Sequence, residues 1–173
     1  MKIKRRQIKW AFRLYLFLIF ILVGVKFTGN PNELINRIKD RLVLINEGYW
    51  HIQLTPFKTI WSATIKLYIL YGLGGPVLFN LMANIILFVP MGFLIALLLP
   101  KSNFWKVFVY SLGIVLSIEI FQFITILGVA DIDDVILNTL GASIGYIVYL
   151  VFKPLVDKHT ESISDRTSSV SGL

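Results

Sequence analysis

Three long apolar runs, 77–99, 104–127 and 135–152, constrain this chain more than any other feature. A membrane-crossing helix needs about 20 mostly apolar residues, because the hydrocarbon core is about 30 Å thick and each residue rises about 1.5 Å. Each run reaches that scale, the last being the shortest. Charged residues make up 16% of the chain, against about 25% in ordinary soluble domains. In lipid every backbone N–H and C=O must be satisfied internally, so helices are the natural solution. The expected fold class is all-α: a polytopic membrane helical bundle of four transmembrane helices, with an interfacial amphipathic helix in the first outer connection.

The first of the four spans precedes these runs. Lys2, Lys4, Arg5, Arg6 and Lys9 lead into the apolar stretch 14–25, which extends to about 8–27 if Arg13 and Lys26 snorkel their charged ends to the interface. This reads as a signal anchor. A cleaved signal peptide is the alternative, but Val25-Lys26-Phe27-Thr28 offers no small-x-small cleavage site. The chain thus divides into 1–27, a basic cytoplasmic start and first span; 28–76, an outer interfacial connection; 77–156, a three-helix core; and 157–173, a polar, serine-rich tail expected to be disordered.

The net charge of +7 would suggest nucleic acid in a soluble protein. Here the basic residues cluster at the N-terminus and beside the spans, so anionic membrane lipid is the expected partner and nucleic acid is not. The chain has no cysteine, which excludes disulfides and thiolate metal sites, and its two histidines, His51 and His159, stand far apart. Zinc chemistry is not expected. His51 reads as an ordinary surface residue.

In the connection, Asn30, Pro31 and Glu33 have the order of an N-cap, a first-turn proline and a capping-box acid. Leu34, Ile38, Leu42 and Ile45 then recur at helical spacing, predicting a short helix lying on the membrane with Arg37, Lys39, Asp40 and Arg41 on its solvated face. Tyr49, Trp50, Phe57, Trp61, Tyr68 and Tyr71 follow around Pro56, suited to the headgroup zone. Lys101, Lys106, Lys153 and Lys158 place the same side inward as the N-terminal cluster, so both termini are expected in the cytoplasm. The long first connection also carries Lys and Arg, but loops of that length weaken the rule. Pro90 should kink its span, with Gly92 easing the bend.

Polar residues recur toward the outer ends of the three core spans. Asn80 and Asn84 lie one turn apart, Glu119 and Gln122 at i, i+3, and Asp134 and Asn138 at i, i+4. Glu119 and Asn84 fall at similar depths, about 12 Å by helical rise, so three helices can present polar groups to one outward-facing hollow. A carboxylate so deep costs about 2.5–3.5 kcal/mol and needs a partner. It serves either as glue between helices through Asn84, Gln122 or Asn138, or as part of a ligand site. Asp131-Ile132-Asp133-Asp134 likewise has two readings. In one, an aspartate caps a helix and the others favour its positive dipole end. In the other, the string is an oxygen-rich site for Mg²⁺, Ca²⁺ or a cationic ligand group, completed by Asn138 and Glu119. Gly141 and Gly145 have the small-xxx-small spacing of closely packed helices. Their neighbour is left open between another span and another subunit.

Taken together, Asn84-Ile85-Ile86-Leu87-Phe88-Val89-Pro90-Met91-Gly92-Phe93, then Ser117-Ile118-Glu119-Ile120-Phe121-Gln122, then Asp131-Ile132-Asp133-Asp134-Val135-Ile136-Leu137-Asn138-Thr139-Leu140-Gly141, resemble the VanZ-like family. Leu54-Thr55-Pro56-Phe57-Lys58-Thr59-Ile60 is similar to that family's Pro-Phe element, so the likeness covers roughly 50–152. Many members carry an arginine shortly before the aspartate string, where this chain has Gly128-Val129-Ala130. The resemblance implies a bacterial cytoplasmic-membrane protein of a family associated with reduced susceptibility to teicoplanin, an antibiotic bearing a fatty-acyl chain. It implies no catalytic mechanism. The leading expectation is a non-enzymatic envelope protein that binds or shields a lipid, a lipid-linked cell-wall precursor or a lipoglycopeptide through Asn84, Glu119, Gln122, Asp131, Asp133, Asp134 and Asn138, without a cofactor. The alternatives are a metal-dependent intramembrane enzyme acting on a lipid phosphate or precursor, with a divalent cation on the aspartates and Glu119 as acid or base, and a small transporter.

Overall fold

A computed structural model of the chain describes residues 5–24, 30–71 and 76–170. The backbone is helical almost throughout: α1 (Arg5–Ile19) running into a π-helical turn (Phe20–Gly24), α2 (Pro31–Asn46), α3 (Lys58–Tyr71), α4 (Pro76–Leu98), α5 (Phe104–Thr125) and α6 (Ile132–Val170). The strands among the described residues are β1 (Ile52–Gln53) and β2 (Ala130–Asp131). Among the described residues, three segments are long and apolar enough to cross a membrane: Leu81–Leu98, Phe104–Thr125 and Ile132–Pro154. They coincide with the three apolar runs.

Pro76 opens α4 at the position where its missing N–H costs nothing. Pro90 lies inside the same helix without ending it. In the turn it loosens, the Tyr15 hydroxyl of α1 donates to the Leu87 carbonyl at 2.6 Å. The carbonyl that Pro90 deprives of its donor is that of Ile86, one residue earlier, so the Tyr15 contact braces the turn beside that gap. Further along, Arg5 donates to the Leu98 carbonyl at 3.1 Å, so α1 runs antiparallel along α4.

The α4–α6 pair is the most extensive packing in the chain. An added Cβ on Gly141 would stand 2.1 Å from the Ile85 oxygen, one on Gly145 2.0 Å from the Val89 oxygen, and one on Gly92 1.8 Å from the Ala142 oxygen. The small-xxx-small residues therefore face α4 of the same chain, and the two helices run parallel with their backbones in contact. Against them α5 runs antiparallel. Phe88 and Met91 of α4, Val107 and Val115 of α5 and Ala142 of α6 meet in the buried core. Ile86, Ile124, Ile147 and Val151 point outward and are exposed, an arrangement lipid accommodates and water penalises.

Helix α2 begins as its sequence predicts: the Asn30 side chain accepts from the Asn32 N–H at 3.0 Å, with proline in the first turn. None of its residues is fully buried. Arg41 ties it to the bundle by donating to the Ile126 carbonyl at 2.8 Å. That carbonyl belongs to the left-handed residue closing α5, where a cation meets the negative helix end. Burial and the nearby Arg37 charge hold the Arg41 guanidinium below its ordinary pKa. At the other end of the chain α6 stays helical to Val170, where the polar composition predicts disorder. Extending a formed helix needs no new nucleus, so composition alone is a weak stop signal there. The side chains of Asn80, Tyr68, Tyr71 and His159 lie outside the described residues.

Candidate functional site

The link from α5 to α6 folds back onto the connection before α3. Gln53 and Asp131 pair in a two-residue parallel ladder with Ile52 and Ala130, and the Ala130 N–H donates to the His51 carbonyl at 3.1 Å. His51 Nε2 donates to the Phe123 carbonyl at 2.8 Å, since a carbonyl can only accept, and the imidazole stacks on the Phe123 ring at 5.0 Å. His51 is thus a half-buried clasp on α5 and not the plain surface residue its isolation in sequence suggests.

Each aspartate of the string has its own partners. Asp131 Oδ1 accepts the Asp133 N–H at 2.9 Å and so caps α6, while its Oδ2 accepts the Thr59 hydroxyl at 2.6 Å. Asp133 is 1% exposed. Its Oδ1 accepts the Phe57 N–H at 2.5 Å, and its Oδ2 accepts the Thr59 and Ile60 N–H groups at 2.8 and 3.0 Å. Helix α3 has no acidic residue in its first turn, and Asp133 caps it from across the fold. The same carboxylate sits in the first turn of α6, so two positive helix ends converge on it. Asp134 accepts from Asn84 Nδ2 at 2.7 Å, tying α6 to α4. Phe57 meets Asp133 from the left-handed region, at φ 63°, an uncommon and strained conformation for a side chain of this size.

Glu119 is 5% exposed, and its Oε2 accepts the Asp131 N–H at 3.1 Å. Asn84, Glu119, Asp131, Asp133 and Asp134 therefore form one connected region around the start of α6. Gln122 does not join it. Its Nε2 donates to the Val23 carbonyl in the π-helical turn at 2.6 Å, and its amide packs where a Cβ on Gly128 would intrude at 2.6 Å. Gln122 braces the first helix against α5. Gln122→Leu is expected to destabilise the fold by about 1–3 kcal/mol by orphaning that carbonyl. Unfolding in mixed micelles reads this directly, and unchanged stability would mean the brace carries nothing. Asn138 is buried at 1% exposure, with neither amide atom hydrogen-bonded.

Thr59 and the N–H groups of Phe57, Thr59 and Ile60 are the part of the site that side-chain reasoning missed. The available signal was a helix start at Lys58 lacking a local acidic acceptor. For the divalent-cation reading, the donor chemistry is the test. Among the described residues no group of three His, Cys, Asp or Glu side chains converges as a metal site. Asp133 directs both oxygens to backbone donors, and Asp131 divides its pair between Thr59 and the cap.

Beside this clasp lies an open groove of about 200 Å³. Ile52 and Leu54 of the connection, Leu116, Ile120 and Phe123 of α5, and Ile132 and Val135 of α6 make its apolar wall, with Glu119 and Asp131 at its edge. It is an apolar slot, the shape and chemistry of a site for an acyl chain.

These features define a helical membrane protein whose polar clasp and apolar groove are built at one end of a three-helix core. The family model described as VanZ/LLP1 matches residues 12–153, and the chain belongs to that family. The match begins within α1, so it takes in the latter part of the first helix as well as the segment that carries the sequence motifs. The chain is similar to Protein VanZ of Enterococcus faecium, 39% identical over 66 residues, which are 38% of this chain and 41% of that protein. The aligned part thus spans about two fifths of that relative's length. No solved structure is a significant match.

Proposed function

We propose that this chain is a multi-pass protein of the bacterial cytoplasmic membrane whose outer-leaflet groove binds a lipidic ligand. By holding or shielding that ligand it lowers susceptibility to teicoplanin-type lipoglycopeptides, without catalysis. The observation that carries the reading is the groove itself. Its apolar wall suits an acyl chain. Membership of the VanZ/LLP1 family supports the same assignment.

The topology that goes with this reading has four spans and an interfacial helix. Arg5 reaches Leu98 at one end of α4 and Val23 meets Gln122 toward the far end of α5, so α1 and its π-helical turn run along the bundle. Arg5, Lys101 and Lys106 mark the cytoplasmic end. At the opposite end, exposed Tyr49, Trp50, Phe57 and Trp61 accompany α2 in the headgroup zone.

The test compares teicoplanin and vancomycin susceptibility of a Gram-positive host producing wild type, Glu119→Gln or Ile120→Trp at matched membrane levels. Ile120 is exposed at the groove, so tryptophan fills the slot without entering the core. Protection confined to teicoplanin, lowered at least several-fold by both variants, is the expected result. Protection that survives filling the groove would reject the groove as the binding site, and no protection by wild type would reject the resistance role.

A further inference from the structure

The clasp accounts for the carboxylates but not for three polar residues deeper in the bundle. Ser111 is 0% exposed, Asn138 1% and Thr139 6%. Ser111 Oγ, Thr139 Oγ1 and both amide atoms of Asn138 have no hydrogen-bond partner. Other helical hydroxyls of this chain behave differently. Ser117 donates to the Gly113 carbonyl, Thr125 to Phe121, Ser143 to Thr139 and Thr64 to Ile60, each one turn back. That local escape was open to Ser111 and Thr139 as well, so their orientation away from it asks for another partner.

The three residues also belong to one level. The antiparallel register of α5 and α6 is fixed at one end by Asp131 on Glu119 and at the other by the Tyr146 ring on Phe104, at 6.1 Å. Moving inward from Glu119 and Asp131 by the same number of residues along each helix brings Ser111 level with Thr139, about 12 Å deeper by helical rise. Asn138 adjoins Thr139 at the middle of the buried arc of α6, between the residues that face α4 (Gly141, Gly145) and the one that faces α5 (Tyr146). Asn138 therefore lies on the buried arc that α6 presents to α4 and α5.

We propose that this cluster is a hydration site: water molecules held between α4, α5 and α6 by Ser111, Asn138 and Thr139, in the interior of the membrane-spanning core. An unpartnered polar group is expensive in a low-dielectric interior, and here four polar atoms share one region. Dry cavities in proteins are apolar, whereas a buried water is stable where about 2–4 polar partners surround it. A hydroxyl can donate or accept, and an amide offers both functions, so the set matches the hydrogen-bonding needs of water without a charge. The site stands apart from the groove and from the carboxylates, and it does not depend on the antibiotic reading.

Water-edited solid-state NMR of the protein in lipid bilayers tests this, with labelled asparagine, threonine and alanine. Polarisation from water is expected to reach the Asn138 amide and Thr139 several-fold more strongly than Ala142, which is buried one turn along the same helix. Asn84 at the clasp serves as the hydrated reference. No transfer to Asn138 above the Ala142 level would overturn the proposal. A second readout uses Thr139→Val, nearly isosteric and therefore able to fold. If water bridges the cluster, losing one of its partners lowers the melting temperature. If the hydroxyl is a dry orphan, removing it leaves the melting temperature equal or higher, and the proposal fails.

Discussion

Alanine at Asp133 is expected to cost at least about 3 kcal/mol of stability, because one side chain accepts three backbone N–H groups, and a hydrogen bond to a charged acceptor contributes about 1.5–3 kcal/mol net, less than additively where bonds share one carboxylate. Phe57, Thr59 and Ile60 would lose their acceptor together. The start of α3 would then be uncapped, and Phe57 would keep its left-handed conformation with nothing to hold it there. The β1–β2 ladder should loosen with it, since Thr59 also anchors Asp131. Asp133→Asn should fall between, because an amide has one acceptor oxygen where the carboxylate uses two. Reversible unfolding in mixed micelles without added ligand is the measurement, paired with limited proteolysis of the 47–60 connection. An Asp133→Ala protein as stable and as protease-resistant as wild type would show that the cap is not holding the connection. The distinction matters for function. Loss of protection in an Asp133 variant speaks to the architecture of the clasp, whereas loss in Ile120→Trp, at an exposed position of the apolar wall, speaks to the groove.

The contrast between Asp133 and Glu119 also explains what sequence could and could not give. The core helices were legible because length and apolar content are summed locally, and α2 because its cap, Asn30, stands next to the helix it caps. The acceptor for α3 is more than seventy residues away in the chain, so no local pattern announces it. Asp131 could be read as a cap from its place before α6, yet that reading left no way to see that Asp133 belongs to another helix. The i, i+3 spacing groups Glu119 with Gln122 because such residues share a side of a helix. Three residues still leave about 60° between side chains at 3.6 residues per turn. At a helix with different neighbours on either hand, that angle sends Glu119 to Asp131 and Gln122 to Val23. His51 reads as a surface residue for a related reason: its burial comes from a strand pair formed with residues that are remote in sequence.

The largest effect away from the clasp is expected at the α4–α6 contact. A methyl on Gly141 or Gly145 would meet the Ile85 or Val89 carbonyl oxygen at 2.1 or 2.0 Å, and these are backbone atoms that cannot rotate aside. The helices must separate, so Gly141→Ala should cost about 3 kcal/mol, at the upper end of ordinary overpacking, and Gly141→Val more. Separation would also stretch the Asn84–Asp134 bond, whose 2.7 Å length depends on the same close approach. Gly113 provides the matched control, since nothing lies within 4 Å of a Cβ placed there. Gly113→Ala should instead be neutral or gain up to about 1 kcal/mol from better helix propensity. Unfolding of both variants in the same micelles separates the two causes, because each adds one methyl to one transmembrane helix. If Gly141→Ala proves no less stable than Gly113→Ala, the α4–α6 backbones do not touch as described, and the position of the acidic string over α4 has to be drawn again.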